Sequence, residues 1–214
     1  MKKKNIFILT LIILSFIISF MFYNKLPNNI PIHWGINGEI DRYGPKYYIF
    51  LEPIILVFSY LLFKFLPKID PRKHNYKKYE KSYENSIFAF VLFFFSMFIL
   101  TLLASLGYNV PISKFVPFFV GVLFIILGNY LPKSRSNFYF GIKTPWTLSD
   151  DTVWRKTHRL GGKLFTITGV LTLISTLLFN GTTLFSILIT CLLISSLLPS
   201  IMSYVYFKNI ENKK

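Results

Sequence analysis

The sequence has little charge, few acidic residues and one cysteine. Only 15% of its 214 residues are charged, whereas a soluble domain carries about a quarter, which excludes an ordinary soluble domain. Nine acidic residues stand against 24 basic ones. The lone Cys191 excludes an intramolecular disulfide and a cysteine-based metal framework. It lies within an apolar run, so we expect it to pack as a small apolar side chain within a span.

Familiar catalytic and metal-binding patterns are also missing. His33, His74 and His158 lie in different polar segments without the spacing of metal ligands. The sequence has no glycine-rich phosphate loop, no nucleophile elbow and no clear pair of catalytic carboxylates on one helix face. It therefore predicts no metal, no cofactor and no enzymatic activity.

Long apolar runs dominate instead, and 53% of the residues are hydrophobic. A helix of about 20 apolar residues crosses roughly 30 Å of hydrocarbon. We expect six such helices, with Pro67 ending the second and with Gly121 and Gly128 as close-packing points on the fourth. The six runs cover residues 5–23, 47–66, 86–106, 115–131, 163–179 and 182–207. The fold class is therefore all-α, a polytopic integral protein of the cell membrane.

The basic residues predict the orientation. Twenty of the 24 lie in the N-terminal segment, the second and fourth loops with their borders, and the C-terminal tail. Because cytoplasmic loops collect lysine and arginine, both termini and the fourth loop should be cytoplasmic. This uneven distribution means that membrane topology accounts for the net charge of +15. We therefore expect no direct binding of nucleic acid.

Three regions follow from this topology. Residues 1–66 hold two transmembrane helices and an outward, turn-rich loop, in which we expect a short hairpin around residues 35–38. Residues 67–114 hold a charged cytoplasmic loop, expected to be solvated at residues 68–85, and the third transmembrane helix. Residues 115–214 hold three further transmembrane helices and a central cytoplasmic loop.

The central loop, residues 137–162, reads NFYFGIKTPWTLSDDTVWRKTHRLGG and contains two of the three tryptophans. Ser149 has the character of an N-cap, so a helix should begin near Asp150. On that helix, one side is a basic stripe that suits lipid phosphate and the other side suits protein. The stripe is Arg155, Arg159 and Lys163, and the second side is Val153, Trp154, Thr157, His158 and Gly161.

Several side chains have two interpretations each. His158 is either a pH-sensitive or ligand-binding group or a packed histidine beside Trp154. Trp146 and Trp154 are either interfacial belt residues or recognition residues. Glu52, the only acid inside a span, is either a proton-relay group or an interfacial residue explained by the helix start and the adjacent Pro53.

Two stretches resemble a known family. The run GNYLPKSRSNFYFGIKTPWTLSDDTVWRKTHRLGG at residues 128–162 resembles the signature of the SdpI family of bacterial membrane proteins. The segment IPIHWGINGEIDRYGPK, followed by Glu52-Pro53, is similar to a small module often found ahead of that signature. The matching signature residues are Asn129, Pro132, Lys133, Asn137, Gly141, residues 143–148, Val153, Trp154, Thr157, His158, Gly161 and Gly162.

The resemblance implies an immunity protein that protects its cell against a secreted peptide toxin and holds a small cytoplasmic DNA-binding repressor at the membrane. The alternative is a transporter or channel component that uses Glu52 and the central loop. Expected contacts with an external ligand are His33, Trp34, Gly38, Asp41 and Glu52. Expected contacts with a cytoplasmic partner are Asn137, Gly141, Lys143, Thr144, Pro145, Trp146, Thr147, Leu148, Trp154, Thr157, His158 and Arg159.

Overall fold

Helices account for most of the chain in the structure, a computed structural model that describes residues 3–212. Its α-helices are α1 (Lys3–Tyr23), α2 (Leu51–Ile69), α3 (Glu80–Ser105), α4 (Ile112–Tyr130), α5 (Pro145–Ser149), α6 (Asp151–Leu178) and α7 (Gly181–Glu211). Short 3-10 helices cover Lys46–Phe50, Lys73–Tyr79 and Leu131–Lys133. Within the described range, all α-helices except α5 belong to segments long and apolar enough to cross a membrane. The all-α, six-span prediction is therefore confirmed.

The second span does not end at Pro67 as predicted, because α2 continues to Ile69 with the proline in its last turns. Proline has no backbone N–H, so it cannot donate to the carbonyl four residues earlier. That carbonyl belongs to Phe63, and the hydroxyl of Tyr83 on α3 donates to it across 2.7 Å. A tertiary hydrogen bond thus replaces the one that the proline removes.

The helix of the central loop and the fifth span are one continuous helix, α6. Its N-cap is Asp150, not the predicted Ser149. The Asp150 carboxylate accepts from the backbone N–H groups of Thr152 at 2.6 Å and Val153 at 2.9 Å. Ser149 instead ends α5, and its hydroxyl donates to the Trp146 carbonyl at 3.0 Å. The prediction was wrong by one residue because the short α5 occupies the chain up to Ser149.

The predicted hairpin is present. Strands β1 (Asn29–Trp34) and β2 (Ile40–Pro45) pair antiparallel, with Trp34 opposite Ile40. The turn between them closes through the N–H of Gly35, which donates to the Glu39 carbonyl at 2.8 Å. The hairpin is anchored on one face, where Ile30 packs in an apolar cluster with Leu26, Ile49, Phe98 and Leu102.

Helices α4 and α6 approach closely at glycines, as predicted for Gly121 and Gly128. A Cβ added to Gly128 would lie 2.7 Å from the Gly162 carbonyl oxygen, and one added to Gly121 would lie 3.0 Å from that of Gly169. Both distances are shorter than a van der Waals contact. The two glycine pairs therefore let the two backbones pack directly, which side chains at these positions would prevent.

The second loop is not the solvated segment that we predicted. After α2 it forms the 3-10 helix at Lys73–Tyr79 and runs into α3. Tyr76, Tyr79 and Tyr83 are buried and contact Phe140 of the central loop directly or through one another. The spacing of these tyrosines, three and four residues apart, places them on one side and leaves the lysines between them exposed. The loop therefore packs against the central loop.

Candidate functional site

Asn137 organises the start of the central loop. Its side chain is fully buried. The Oδ1 atom accepts from the backbone N–H groups of Tyr139 at 3.0 Å and Phe140 at 2.6 Å. The Nδ2 atom donates to the carbonyls of Arg135 and Phe140, each at 2.8 Å. Both ends of the amide are thus used to fold the chain around itself, and Asn137 offers no atom to a partner.

Asp70 lies in the second loop and joins it to the central loop at Asn137 and Phe138. We call this contact between the two loops the junction. The Asp70 side chain is 1% exposed. The carboxylate accepts from the backbone N–H groups of Arg72 at 2.7 Å and Phe138 at 2.9 Å. The hydroxyl of Tyr76 lies 3.0 Å from Asp70 Oδ2 and 3.1 Å from Asn137 Oδ1, so it joins the two loops. Hydrogen bonds to a charged acceptor are about twice as strong as neutral ones. Asp70 therefore stabilises the junction strongly.

Arg72 extends the junction to α5. Its guanidinium donates to the Leu148 carbonyl at 2.8 Å and to the Ser136 hydroxyl. The same group lies 5.2 Å from the centroid of the Phe138 ring, within the range of a cation–π interaction. The amide of Asn75 donates to the Ser136 carbonyl at 2.8 Å.

The sequence interpretation missed this set of second-loop residues, Asp70, Arg72, Asn75 and Tyr76. Apart from the tyrosine spacing, nothing in the local sequence marks them.

His158 is a packed residue. Its ring is fully buried and stacks on Trp154, with 3.9 Å between the ring centroids and 19° between the planes. Nδ1 lies 2.8 Å from the Trp154 carbonyl oxygen, while Nε2 accepts from the N–H of Ile142 at 2.9 Å. A carbonyl accepts only and a backbone N–H donates only, so the ring is neutral with its proton on Nδ1. Of the two interpretations, the geometry favours the packed histidine.

Gly141 is required by this arrangement. Its φ is +118°, in the region that disfavours residues with a Cβ. A Cβ at this position would also collide with His158 Nε2 and approach the Trp154 ring. The indole N–H of Trp154 donates to the Ser134 carbonyl at 3.3 Å. Gly141, Trp154 and His158 therefore form one packed unit beneath the loop.

The segment with Thr144 and Trp146 docks on α7. The Thr144 hydroxyl caps α5 by accepting from the Thr147 N–H at 3.2 Å, and Thr147 Oγ1 accepts in return from the Thr144 N–H at 2.9 Å. Thr144 Oγ1 also lies 2.9 Å from Ser203 Oγ on α7. The ring of Trp146 contacts that of Tyr204, 5.0 Å between centroids. These contacts fix α5 against the end of the spanning helix.

The predicted partner-binding residues thus divide into three groups by burial. Asn137, Thr147, Trp154, Thr157 and His158 are buried and form a scaffold. Gly141, Thr144, Trp146 and Leu148 are half-buried, whereas Lys143, Pro145 and Arg159 are exposed. Two exposed aromatic residues that the sequence interpretation missed, Phe138 and Tyr139, lie beside them in the chain. We refer to Phe138, Tyr139, Lys143 and Pro145 as the loop surface.

A groove opens at the end of the protein opposite the loop surface. It has a volume of about 540 Å³. It is lined by Ile32, His33, Trp34, Gly35, Ile36, Asp41, Ile112, Ser113, Val116, Pro117, Gly181, Phe185 and Leu188, from the hairpin and the first turns of α4 and α7. We call it the hairpin groove. Most of the lining is apolar, and His33 Nδ1 lies 2.7 Å from Asp41 Oδ1.

The structure brings together most of the predicted external contacts. His33, Trp34 and Asp41 line the hairpin groove, and Gly38 lies beside it against Ser113. Glu52 lies elsewhere, on α2, where its Oε1 accepts from the Thr101 hydroxyl at 3.1 Å. Among the described residues, its other oxygen is buried without a hydrogen-bond partner. Glu52 is therefore not part of the groove.

Comparison with known proteins places the chain in a family. Residues 133–203 match the SdpI/YfhL protein family, and residues 10–68 match a domain of unknown function, DUF1648. Immunity protein SdpI of Bacillus subtilis (strain 168) is 31% identical over 212 residues, which cover 99% of this chain and 100% of that protein. The chain belongs to the SdpI/YfhL family.

Family membership confirms the resemblance carried by the central loop. The family match includes that loop together with α6 and most of α7, and the DUF1648 match includes the hairpin. With six apolar helices and this relative, the protein is a multi-pass protein of the cell membrane. No solved structure matches the chain. In the part of the chain that the structure describes, no three His, Cys, Asp or Glu side chains converge as a metal site would require.

Proposed function

We propose that the protein is a non-catalytic membrane immunity protein that protects its cell against a secreted peptide toxin. The support is its similarity over nearly the whole chain to a relative named as an immunity protein. In the central loop, Asn137 and His158 are buried and use their side-chain polar atoms in internal hydrogen bonds. Such a site holds a structure in place and does not supply a free acid, base or nucleophile.

We propose the hairpin groove as the binding site of the toxin, because its surface suits a membrane-active peptide. Such a peptide is amphipathic, and it needs an apolar surface beside a few polar partners. The groove supplies Ile36, which is 46% exposed, and Phe185, which is 40% exposed. His33 and Asp41 add an accessible polar pair at its edge. The lopsided distribution of basic residues supports an outward position for the hairpin.

The loop surface supports a second element of the proposal, the holding of a small DNA-binding repressor at the cytoplasmic face. Phe138 and Tyr139 are 39% and 38% exposed, and aromatic side chains are enriched where proteins bind one another. Lys143 adds a cation whose Nζ lies 3.4 Å from the Tyr139 carbonyl oxygen. The buried junction beneath them keeps this surface in one conformation, which lowers the entropy lost on binding.

The test is survival of a toxin-sensitive strain that expresses the protein. We expect the intact chain to raise survival on toxin, and Phe185→Ala to reduce it. The toxin can bury at most the exposed 40% of Phe185. Because full burial of a phenylalanine contributes about 1.5 to 3 kcal/mol, toxin affinity should fall about three- to eightfold. Membrane fractions probed by immunoblot confirm equal amounts of each variant.

Phe115→Ala is the matched control. Phe115 is also 40% exposed and lies near the same end of the bundle, but it does not line the groove. It should leave protection unchanged. Absence of protection by the intact chain would contradict the immunity function, whereas equal effects of the two substitutions would contradict only the groove as its site. Repressor holding is tested separately, by co-fractionation of the repressor with membranes containing Tyr139→Ala.

A further inference from the structure

A basic cleft lies between α6 and α7, at the end of the protein opposite the hairpin. Its volume is about 360 Å³, and it is lined by Lys156, Arg159, Leu160, Lys163, Tyr206 and Asn209. We call it the α6–α7 cleft. It contains two members of the basic stripe, Arg159 and Lys163, and it is separate from the loop surface.

The cleft gathers positive charge without local compensation. Lys156, Arg159 and Lys163 are spaced by three and four residues, which places them on one face of α6. Among the described residues that line the cleft, none is acidic. The nearby carboxylate in the chain, Glu211, accepts from Lys208 at 2.9 Å. Three like charges on one face repel one another, so a bound anion would stabilise this arrangement.

The uncharged lining residues add to the same chemistry. The ammonium group of Lys156 lies 5.8 Å from the centroid of the Tyr206 ring, which holds it at the cleft. Asn209 contributes a side-chain amide with N–H donors, and Tyr206 a hydroxyl. Phosphate oxygens accept from all of these groups and from guanidinium.

Beyond the cleft, the same face of α6 becomes apolar. At steps of four, four and three residues after Lys163 come Ile167, Leu171 and Ile174, which are 52%, 44% and 48% exposed. This is the part of α6 that crosses the membrane. A ligand with phosphate in the cleft can therefore lay a hydrocarbon chain along these side chains. A soluble anion would use only the charged half of the surface.

We propose that the α6–α7 cleft binds the headgroup phosphate of an anionic phospholipid, with an acyl chain along Ile167, Leu171 and Ile174. Basic pockets between spanning helices are a recurrent means of binding anionic lipid. The proposal does not depend on the immunity function. In the orientation that the basic residues predict, the lipid belongs to the inner leaflet.

The test is native mass spectrometry of the detergent-solubilised full chain, titrated with phosphatidylglycerol or phosphatidylcholine carrying identical acyl chains. We expect phosphatidylglycerol to bind about tenfold more tightly, since each nearby cation contributes several-fold. A variant with Lys156, Arg159 and Lys163 all changed to Gln should lose this preference. The control changes Lys77, Lys78 and Lys81 to Gln, which removes the same charge from exposed positions outside the cleft, and should retain it.

Four results would overturn the proposal. Equal affinity for the two lipids would remove the role of charge, and equal losses in the two triple variants would make the attraction a diffuse property of the surface. Competition by glycerol phosphate at the concentrations at which the lipid binds would assign the cleft to a soluble anion. Should circular dichroism show that the cleft triple variant is unfolded, Arg159→Gln alone must weaken phosphatidylglycerol binding several-fold, and an unchanged affinity would refute the proposal.

Discussion

Replacing Gly141 with alanine tests whether His158 is a structural residue. The substitution forces a Cβ onto a backbone with a φ of +118°, and such a sparsely populated conformation costs about 1 to 3 kcal/mol. The new methyl group also occupies the position of His158 Nε2. The ring must move, and the hydrogen bond from the Ile142 N–H is lost. A buried donor left without an acceptor costs about 1 to 3 kcal/mol, so we expect a total of about 2 to 6 kcal/mol.

Gly107 provides a control that separates these two contributions. Its φ is +88°, yet a Cβ added there would have nothing within 4 Å. Gly107→Ala should therefore cost only the backbone part, about 1 to 3 kcal/mol. The difference between the two variants isolates the collision with His158.

The assay is denaturant unfolding in detergent micelles, followed by tryptophan fluorescence. Trp154 is a local reporter, because its buried ring stacks on His158. Adding His158→Ala should reduce the cost of Gly141→Ala to that of Gly107→Ala, since the atom that collides is gone. If Gly141→Ala is no more destabilising than Gly107→Ala in the parent chain, the packed role of His158 is refuted.

Two further predictions concern the junction and the orientation. Asn137→Asp removes the two donated hydrogen bonds and buries a carboxylate, so the free energy of unfolding should fall by about 3 kcal/mol or more; an unchanged value in the same assay would exclude Asn137 as the organiser of the loop. In a Cys191→Ser background, an impermeant thiol reagent added to intact cells should label Ile36→Cys in the hairpin and not Tyr139→Cys in the loop surface, as the positive-inside rule requires. Labelling of Tyr139→Cys alone would invert the topology.

Local features of the chain could be predicted from the sequence because their causes are local. The six spans follow from the length of each apolar run, and the hairpin follows from turn residues beside Gly35 and Gly38. The glycines at 121 and 128 marked a close approach, although nothing in the sequence identified Gly169 and Gly162 as their partners. The predicted N-cap at Ser149 failed because α5, a helix of five residues, is too short to show a periodic pattern.

Only the tertiary structure decided what the polar residues do. Tyr76 and Asn137 are 61 residues apart in the chain, and Asp70 and Phe138 are 68 apart, yet each pair is hydrogen-bonded. The same holds for the hairpin groove, which joins the hairpin to the first turns of α4 and α7. Periodicity shows which side of a segment avoids water, but it does not show which distant segment covers that side. The sequence therefore determined the membrane architecture and the family, and packing decided that His158 and Asn137 are the scaffold beneath the exposed loop surface.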